Sequence, residues 1–328
     1  MNVLITGING YIGSNISEGL WKKGQTVIGL DVCDSRLSCF RHDTRFQFIL
    51  ADIAEIASLS ETLRSADMLI HCAALVHRRP KVFSREDYFR VNTEGTHNIL
   101  SRLDPKRLHQ IIFLSTVSVY GSAAVAGVPD ESTPLTPEDF YGESKAAAED
   151  EIREFSRVHS IPYTIFRLTP VYGRTFLLNL SRRVCLPNKL AFYKIAPGRQ
   201  RLSLCSIHNL VNAVGDGLNN VRYFHETTIL KDSADYSVVE IIAELKEFLP
   251  RKWRPVFRIP RGIPATAFKG LGLVMPAKAK TYIYQWKKIA RDAVYSGAKM
   301  TSIGIPLKWD LRTTLQTPEE CPCPTEAE

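Results

Sequence analysis

The chain has 328 residues, 45% of them apolar and 23% charged, enough for a large buried core and unlike a disordered or fibrous protein. No run of about 18 uncharged apolar residues occurs, so no membrane span is expected, and the opening Val3-Leu4-Ile5 reads as a strand rather than a secretory leader. The net charge of +8 is uneven: residues 1–167 carry 18 Lys/Arg against 21 Asp/Glu, and residues 168–328 carry 24 against 13, so the second half should face anionic partners.

In chain order, Val3–Thr6 reads as a strand, Tyr11–Lys23 as a helix and Thr26–Leu30 as a strand. Phe46–Leu50 and Met68–His71 are further strands, Glu86–Leu103 a helix, and Gln110–Ser115 a strand whose unbroken apolar run fits burial on both faces. Glu143–His159 reads as a helix and Tyr163–Arg167 as a strand. Strands alternating with helices predict βαβ units and a parallel sheet. Beyond Arg167 the rhythm loosens. Phe176–Leu190, Ser206–Leu218 and Val238–Leu249 read as helices, Thr227–Leu230 as a strand returning to the sheet, and Arg254–Ile263 as a loop or edge strand interrupted by proline. The segment from Thr317 to Glu328 holds three prolines and four glutamates with few apolar residues, and is expected to be disordered.

Gly7-Ile8-Asn9-Gly10-Tyr11-Ile12-Gly13 lies between the first strand and the first helix. Glycines at such a turn let backbone N–H groups approach a pyrophosphate at the helix N-terminus. Asp31 closes the second strand, where a carboxylate accepts hydrogen bonds from an adenosine ribose and repels a 2′-phosphate. NAD is therefore the expected cofactor.

With these residues in place, and with Ala51-Asp52-Ile53, His71-Cys72-Ala73-Ala74, Val91-Asn92-Thr93-Glu94-Gly95-Thr96, Leu114-Ser115-Thr116 through Gly121, Tyr141-Gly142-Glu143-Ser144-Lys145 and Arg167 through Val171-Tyr172-Gly173, the chain resembles the extended short-chain dehydrogenase/reductase family. Nucleotide-sugar epimerases, dehydratases and ketoreductases belong to that branch. The resemblance covers about residues 1–315. It implies an α/β fold: a Rossmann doubly wound parallel sheet in residues 1–168, a smaller C-terminal α+β substrate domain in 169–316 (with about 205–232 returning to the Rossmann sheet), and a tail at 317–328.

The resemblance also implies site roles. Gly7, Asn9, Gly10, Tyr11, Ile12, Gly13, Asp31, Asp52, Ile53, Ala73, Ala74, Asn92 and Ser115 would contact the cofactor, with Asp52 and Ile53 flanking the adenine and Ala73–Ala74 running beneath it. Tyr141 would be the catalytic acid/base, Lys145 its partner and a further cofactor contact, and Thr116 the hydroxyl that orients the sugar oxygen, with Ser115 as the competing candidate. The chemistry makes independent sense. Residues spaced i,i+4 share a helix face, and an ammonium near a phenol lowers its pKa from about 10 toward neutrality. Val117, Ser118, Asn179 and Arg201 are the expected substrate contacts.

Departures from the family pattern narrow the reaction. Dehydrating relatives carry an acidic pair where Val117 and Ser118 stand, so 4,6-dehydration is not expected. Leu202 occupies the place of a diphosphate-binding arginine, Arg201 lies one position earlier, and an Arg-x-x-Asp pattern is missing around Arg258–Gly262. What remains is an NAD-dependent epimerase of a nucleotide sugar, at C4 through a transient ketone, with an NAD(P)H-dependent 4-ketoreductase as the alternative. An epimerase of a lipid-diphosphate-linked sugar and a non-catalytic dinucleotide-binding scaffold stay open.

Arg251 to Arg291 contains eleven Lys/Arg, no Asp/Glu and six interleaved aromatics. A solvated basic face explains this most simply, a diphosphate-facing surface is a second reading, and a peripheral contact with an anionic membrane is the sharper one. No nucleic-acid motif occurs. The seven cysteines and eight histidines are scattered, so neither a disulfide framework nor a metal is expected, and a reducing cytoplasm is the implied compartment. By family analogy the chain would form a homodimer through Glu86–Leu103 and Glu143–His159.

Overall fold

The computed structural model describes residues 1–34, 43–55, 61–76, 83–121, 127–186, 190–249, 254–260 and 290–319. Its centre is a seven-stranded parallel sheet built from β1 (Asn2–Thr6), β2 (Thr26–Asp31), β3 (Phe46–Leu50), β4 (Met68–His71), β5 (Gln110–Thr116), β6 (Tyr163–Leu168) and the strand Glu226–Leu230. The order is β3-β2-β1-β4-β5-β6, with Glu226–Leu230 outside β6. The chain reverses direction across the sheet between β1 and β4, which opens a crevice at the carboxyl ends of those strands.

Alternate residues of each strand feed two apolar layers. Val3 and Ile5 of β1 and Ile112 and Leu114 of β5 pack with helices α1 (Tyr11–Lys22) and α6 (Ile207–Gly217). Leu4, Ile111 and Phe113 face the other way, onto α3 (Gly95–Arg102) and α4 (Phe140–His159). Every residue of β5 is buried, as its unbroken apolar run predicts. Each fully buried Ile, Leu or Phe contributes about 1.5–3 kcal/mol, and these layers fix the strand ends on which the site stands.

Two helices depart from the sequence reading in ways that matter for the site. Glu86–Leu103 is continuous in path but divided: α2 (Arg85–Phe89), a π-helical turn at Arg90–Glu94, then α3. Such turns re-aim a side chain within a helix, here Asn92. Helix α4 begins at Phe140, three residues earlier than expected, because the Asp139 carboxylate accepts the Gly142 N–H at 2.8 Å and caps it. Tyr141 is thereby drawn into the first helical turn.

The second half packs its own core around Tyr172, Leu180, Phe192, Leu202, Ile241, Leu245 and Leu311. Three short ribbons border it: Val171–Tyr172 with Cys205–Ser206, Arg201–Ser203 with Asp235–Ser237, and Phe192–Ile195 with Val256–Ile259. The last pair makes part of Arg254–Ile263 the edge strand foreseen; residues 261–263 lie outside the described residues. The helix expected over Phe176–Leu190 is only α5 (Leu178–Val184), since Cys185 bridges to Phe192 as extended chain and Pro187 follows in sequence. Helix α7 (Val238–Phe248) matches expectation. At the C-terminus, Thr317–Glu319 belongs to the fold and Glu319 is only 8% exposed, so order extends past the expected start of a disordered tail; residues 320–328 lie outside the described residues. Of the basic stretch 251–291, residues 251–253 and 261–289 also lie outside them.

Candidate active site

The turn leaving β1 is built for close approach. Gly7 sits at φ +67°, and a Cβ there would stand 2.7 Å from the Ala73 backbone. A Cβ on Gly13 would lie 2.2 Å from the Gly7 carbonyl oxygen. Helix α1 starts at this turn with Gly10 as its N-cap and no side-chain capping bond, which leaves first-turn N–H groups and the positive end of the helix dipole for an anionic ligand. Replacing Gly13 by alanine is expected to abolish dinucleotide binding and to destabilise the chain by about 1–3 kcal/mol, because the clash is with backbone that cannot swing aside; a binding titration and a thermal melt check both.

Asp31 stands beside this turn at the end of β2. Its carboxylate accepts the N–H of Asn9 and of Val32, each at 2.8 Å, so it is held at the mouth of the crevice. Ile53 is buried against α3, and Asp52 accepts the Ala54 N–H at 2.9 Å. Ala73 and Ala74 follow β4, with the Ala73 backbone directly against Gly7. Asn92, aimed by the π-helical turn, clamps the backbone of Leu75 through both its amide groups and donates to Ser144 Oγ at 2.9 Å. Beneath them, His71 lies between Thr6 (2.5 Å) and Thr96 (2.9 Å). Burial, and secondarily the Lys145 charge, push His71 down to about 3, so it is neutral and part of the frame. These features fit a bound dinucleotide.

Two of the three residues expected to be catalytic, Thr116 and Tyr141, meet at the end of β5, while Lys145 reaches further in, over Phe113. Thr116 caps the short 3₁₀ turn Val117–Tyr120, accepting the Ser118 N–H at 3.1 Å, and is hydrogen-bonded to Tyr141. Lys145, one turn further along α4, is 1% exposed and its Nζ lies 3.9 Å from the centre of the Phe113 ring. Burial pulls Lys145 down to about 7, opposed by the charge of Glu149 and by Cys72. The Tyr141 phenol is pushed up rather than down: burial and the Asp139 carboxylate raise it, and the Thr116 hydrogen bond works against them. The spacing places both side chains on one helix face, but Lys145 reaches inward over Phe113.

Ser115 and Arg167 are register partners on β5 and β6 and point to the same side. Both reach Glu149, which is fully buried. Ser115 Oγ donates to it at 2.6 Å, and Arg167 makes two bonds to it at 3.0 and 2.7 Å. Arg153 adds a third basic contact at 2.7 Å, and Arg167 also donates to the Tyr120 hydroxyl at 2.8 Å. The Ser115 hydroxyl is thus engaged behind the strand, while Thr116 faces the site. Sequence reasoning did not single out Glu149, although its spacing four residues after Lys145 was a usable signal.

The expected substrate residues are less closely gathered. Val117 is buried and Ser118 lies in the 3₁₀ turn beside Thr116. Asn179 donates to the Val171 carbonyl at 2.7 Å at the start of α5. Arg201 is exposed on its ribbon and donates to the Asp235 carbonyl at 3.2 Å, whereas Leu202 turns into the core. Among the described residues no cluster of three or more His, Cys, Asp or Glu could hold a metal, and no helix is long and apolar enough to cross a membrane.

A glycine cradle at the β1/β4 switch point and an acidic strand end on a seven-stranded parallel sheet define a Rossmann dinucleotide-binding fold. The chain belongs to the NAD dependent epimerase/dehydratase family, which residues 3–214 match. A UDP-glucose 4-epimerase of Vibrio cholerae is 27% identical over 285 residues, 83% of this chain and 81% of that protein. An N-acetyl-alpha-D-glucosaminyl-diphospho-ditrans,octacis-undecaprenol 4-epimerase of Escherichia coli O157:H7 is 27% identical over 256 residues, 76% of this chain and 73% of that protein. In fold, the chain is similar to the crystal structure of UDP-glucuronic acid 4-epimerase from Bacillus cereus in complex with NAD, with a TM-score of 0.73 and 20% identity over 96% of each chain.

Proposed function

We propose that this protein is an NAD-dependent 4-epimerase of a sugar carried on a diphosphate, with a nucleotide as the leading carrier. The observation that carries the reading is the pairing of Tyr141 with Thr116 at the end of β5, with buried Lys145 one turn further along α4. The 4-epimerase activities named for the V. cholerae and E. coli relatives support the same chemistry.

Gly7, Gly10 and Gly13 with the head of α1 would hold the cofactor pyrophosphate, Asp31 the adenosine ribose, and Lys145 the nicotinamide ribose. When bound, NAD supplies a hydride acceptor and donor at one sugar carbon. The chain's own residues manage the proton. Thr116 orients the sugar hydroxyl, Tyr141 Oη takes its proton as the ketone forms and returns it as the inverted alcohol forms, and the Lys145 ammonium offsets the charge of the transient phenolate. The helix pair α3 and α4 is proposed as the homodimer interface.

A second reading concerns the carrier. Arg201 is solvent-exposed, and the edge strand Val256–Ile259 exposes Phe257 (52%) beside Arg258. With the E. coli relative's lipid-diphosphate sugar, these support a lipid-linked substrate met at an anionic membrane surface.

Mass spectrometry of the freshly purified, denatured protein tests the cycle. About one NAD per chain, together with interconversion of C4 epimers without added cofactor, is the expected result. An empty protein that consumes added NADH or NADPH with keto-sugars would make it a reductase. Comparing UDP-sugars with undecaprenyl-diphosphate sugars then decides the carrier.

A further inference from the structure

The C-terminal segment brings a carboxylate back to the cofactor turn. Glu319 Oε1 accepts the phenol of Tyr11 at 3.0 Å and the N–H of Thr175 at 3.1 Å, and the Thr175 hydroxyl donates to Oε2. Tyr11 is the first residue of α1, between Gly10 and Gly13 of the cradle. Thr175 lies just beyond the Val171–Tyr172 strand that opens the substrate half.

The pocket is shaped for this contact. A Cβ on Gly173 would stand 1.9 Å from the Tyr11 hydroxyl and 2.4 Å from Glu319 Oε1, so only glycine leaves room for the two to meet. Phe176 stacks on Tyr11 with ring centres 4.5 Å apart and planes 20° from parallel. His208, at the start of α6, feels the Glu319 charge and rests on Trp309 at 5.3 Å; among the described residues its buried Nε2 has no hydrogen-bond partner. Burying a carboxylate is unfavourable unless donors replace the lost water, and here three donors from two distant parts of the chain converge on one.

We propose that Glu319 is a positioning residue for the cofactor. It ties Tyr11 at the head of α1 to Thr175 in the substrate half, holding the two halves closed around the bound dinucleotide and slowing its release. The helix Leu311–Gln316, capped by Asp310, anchors the segment just before it, so the latch is delivered on a short tether. The inference rests on the reading that this chain retains NAD.

The test is the rate at which NAD leaves the full-length protein, followed by trapping released NAD with an excess of a coupled dehydrogenase. Glu319→Ala should release NAD about tenfold faster, the scale of one lost charge-assisted hydrogen bond. Thr175→Val keeps the Tyr11 bond and is the gentler change; it should move the rate in the same direction, by about threefold. Tyr11→Phe combined with Glu319→Ala should be no faster than Glu319→Ala alone, since both remove the same contact. Release at the wild-type rate from Glu319→Ala and Thr175→Val would overturn the latch and leave the cofactor reading intact. Slower release would overturn it too, making the carboxylate a competitor for the site. A wild-type chain that neither carries nor rebinds NAD would overturn the cofactor reading and the latch together.

Discussion

Replacing Tyr141 by phenylalanine is expected to lower kcat by about 10³, equivalent to roughly 4 kcal/mol of barrier, while the chain still folds. The residue keeps its ring, its place in the first turn of α4 and its neighbour Tyr88, whose ring centre lies 6.4 Å away. Only the hydroxyl is lost, and with it the hydrogen bond to Thr116 and the group that moves the proton. Burial and Asp139 hold that phenol protonated in the resting protein, so phenolate forms only as the reaction proceeds. Lys145, pulled down to about 7, is poised between its charged and neutral forms near neutral pH and can respond to that charge. Steady-state turnover and a far-UV spectrum check the prediction. A fall of less than tenfold would remove Tyr141 from the acid/base role and return the assignment to another hydroxyl.

Replacing Arg167 by methionine should produce the largest loss of stability, about 3–5 kcal/mol, because it strands a buried carboxylate. Glu149 is 0% exposed, and Arg167 supplies two of its hydrogen bonds. Burial by itself would push the Glu149 carboxyl up, but the Arg167 hydrogen bond and charge, with Ser115 and Arg153, outweigh it and hold the group below the usual carboxylate range. A carboxyl lowered in this way stabilises the fold above its unfolded pKa of about 4.3 and ceases to do so as pH falls through the lower folded value. Denaturant unfolding at neutral pH should therefore show the deficit, and the difference between wild type and Arg167→Met should shrink in acid. The double replacement Arg167→Met with Glu149→Leu should recover much of the loss, since an apolar pair leaves no buried charge. A deficit below about 1 kcal/mol in the single variant would mean that Glu149 finds other partners.

The parallel sheet and the glycine turn were legible from residues alone because both depend on local order. A strand buried on two faces must be apolar throughout, as Ile111-Ile112-Phe113-Leu114 is, and a turn that backbone must approach closely must be glycine at Gly7 and Gly13. The roles proposed for Thr116, Tyr141 and Lys145 came instead from the family resemblance, with the i,i+4 spacing of Tyr141 and Lys145 as a supporting local pattern. The Glu149 cluster was harder to see. Its partners, Ser115, Arg153 and Arg167, come from two strands and a helix, and only the β5–β6 register shows that two of them point to one side.

Sequence by itself determined the fold class and the cofactor cradle, because each is a pattern of neighbours within one or two elements. Tertiary structure alone decided the direction of the Tyr141 shift, the burial of Leu202 in place of a substrate arginine, and the return of Glu319 to Tyr11 across 308 residues. Those outcomes depend on desolvation and on contacts between segments far apart in the chain. Both arise only when the halves pack together.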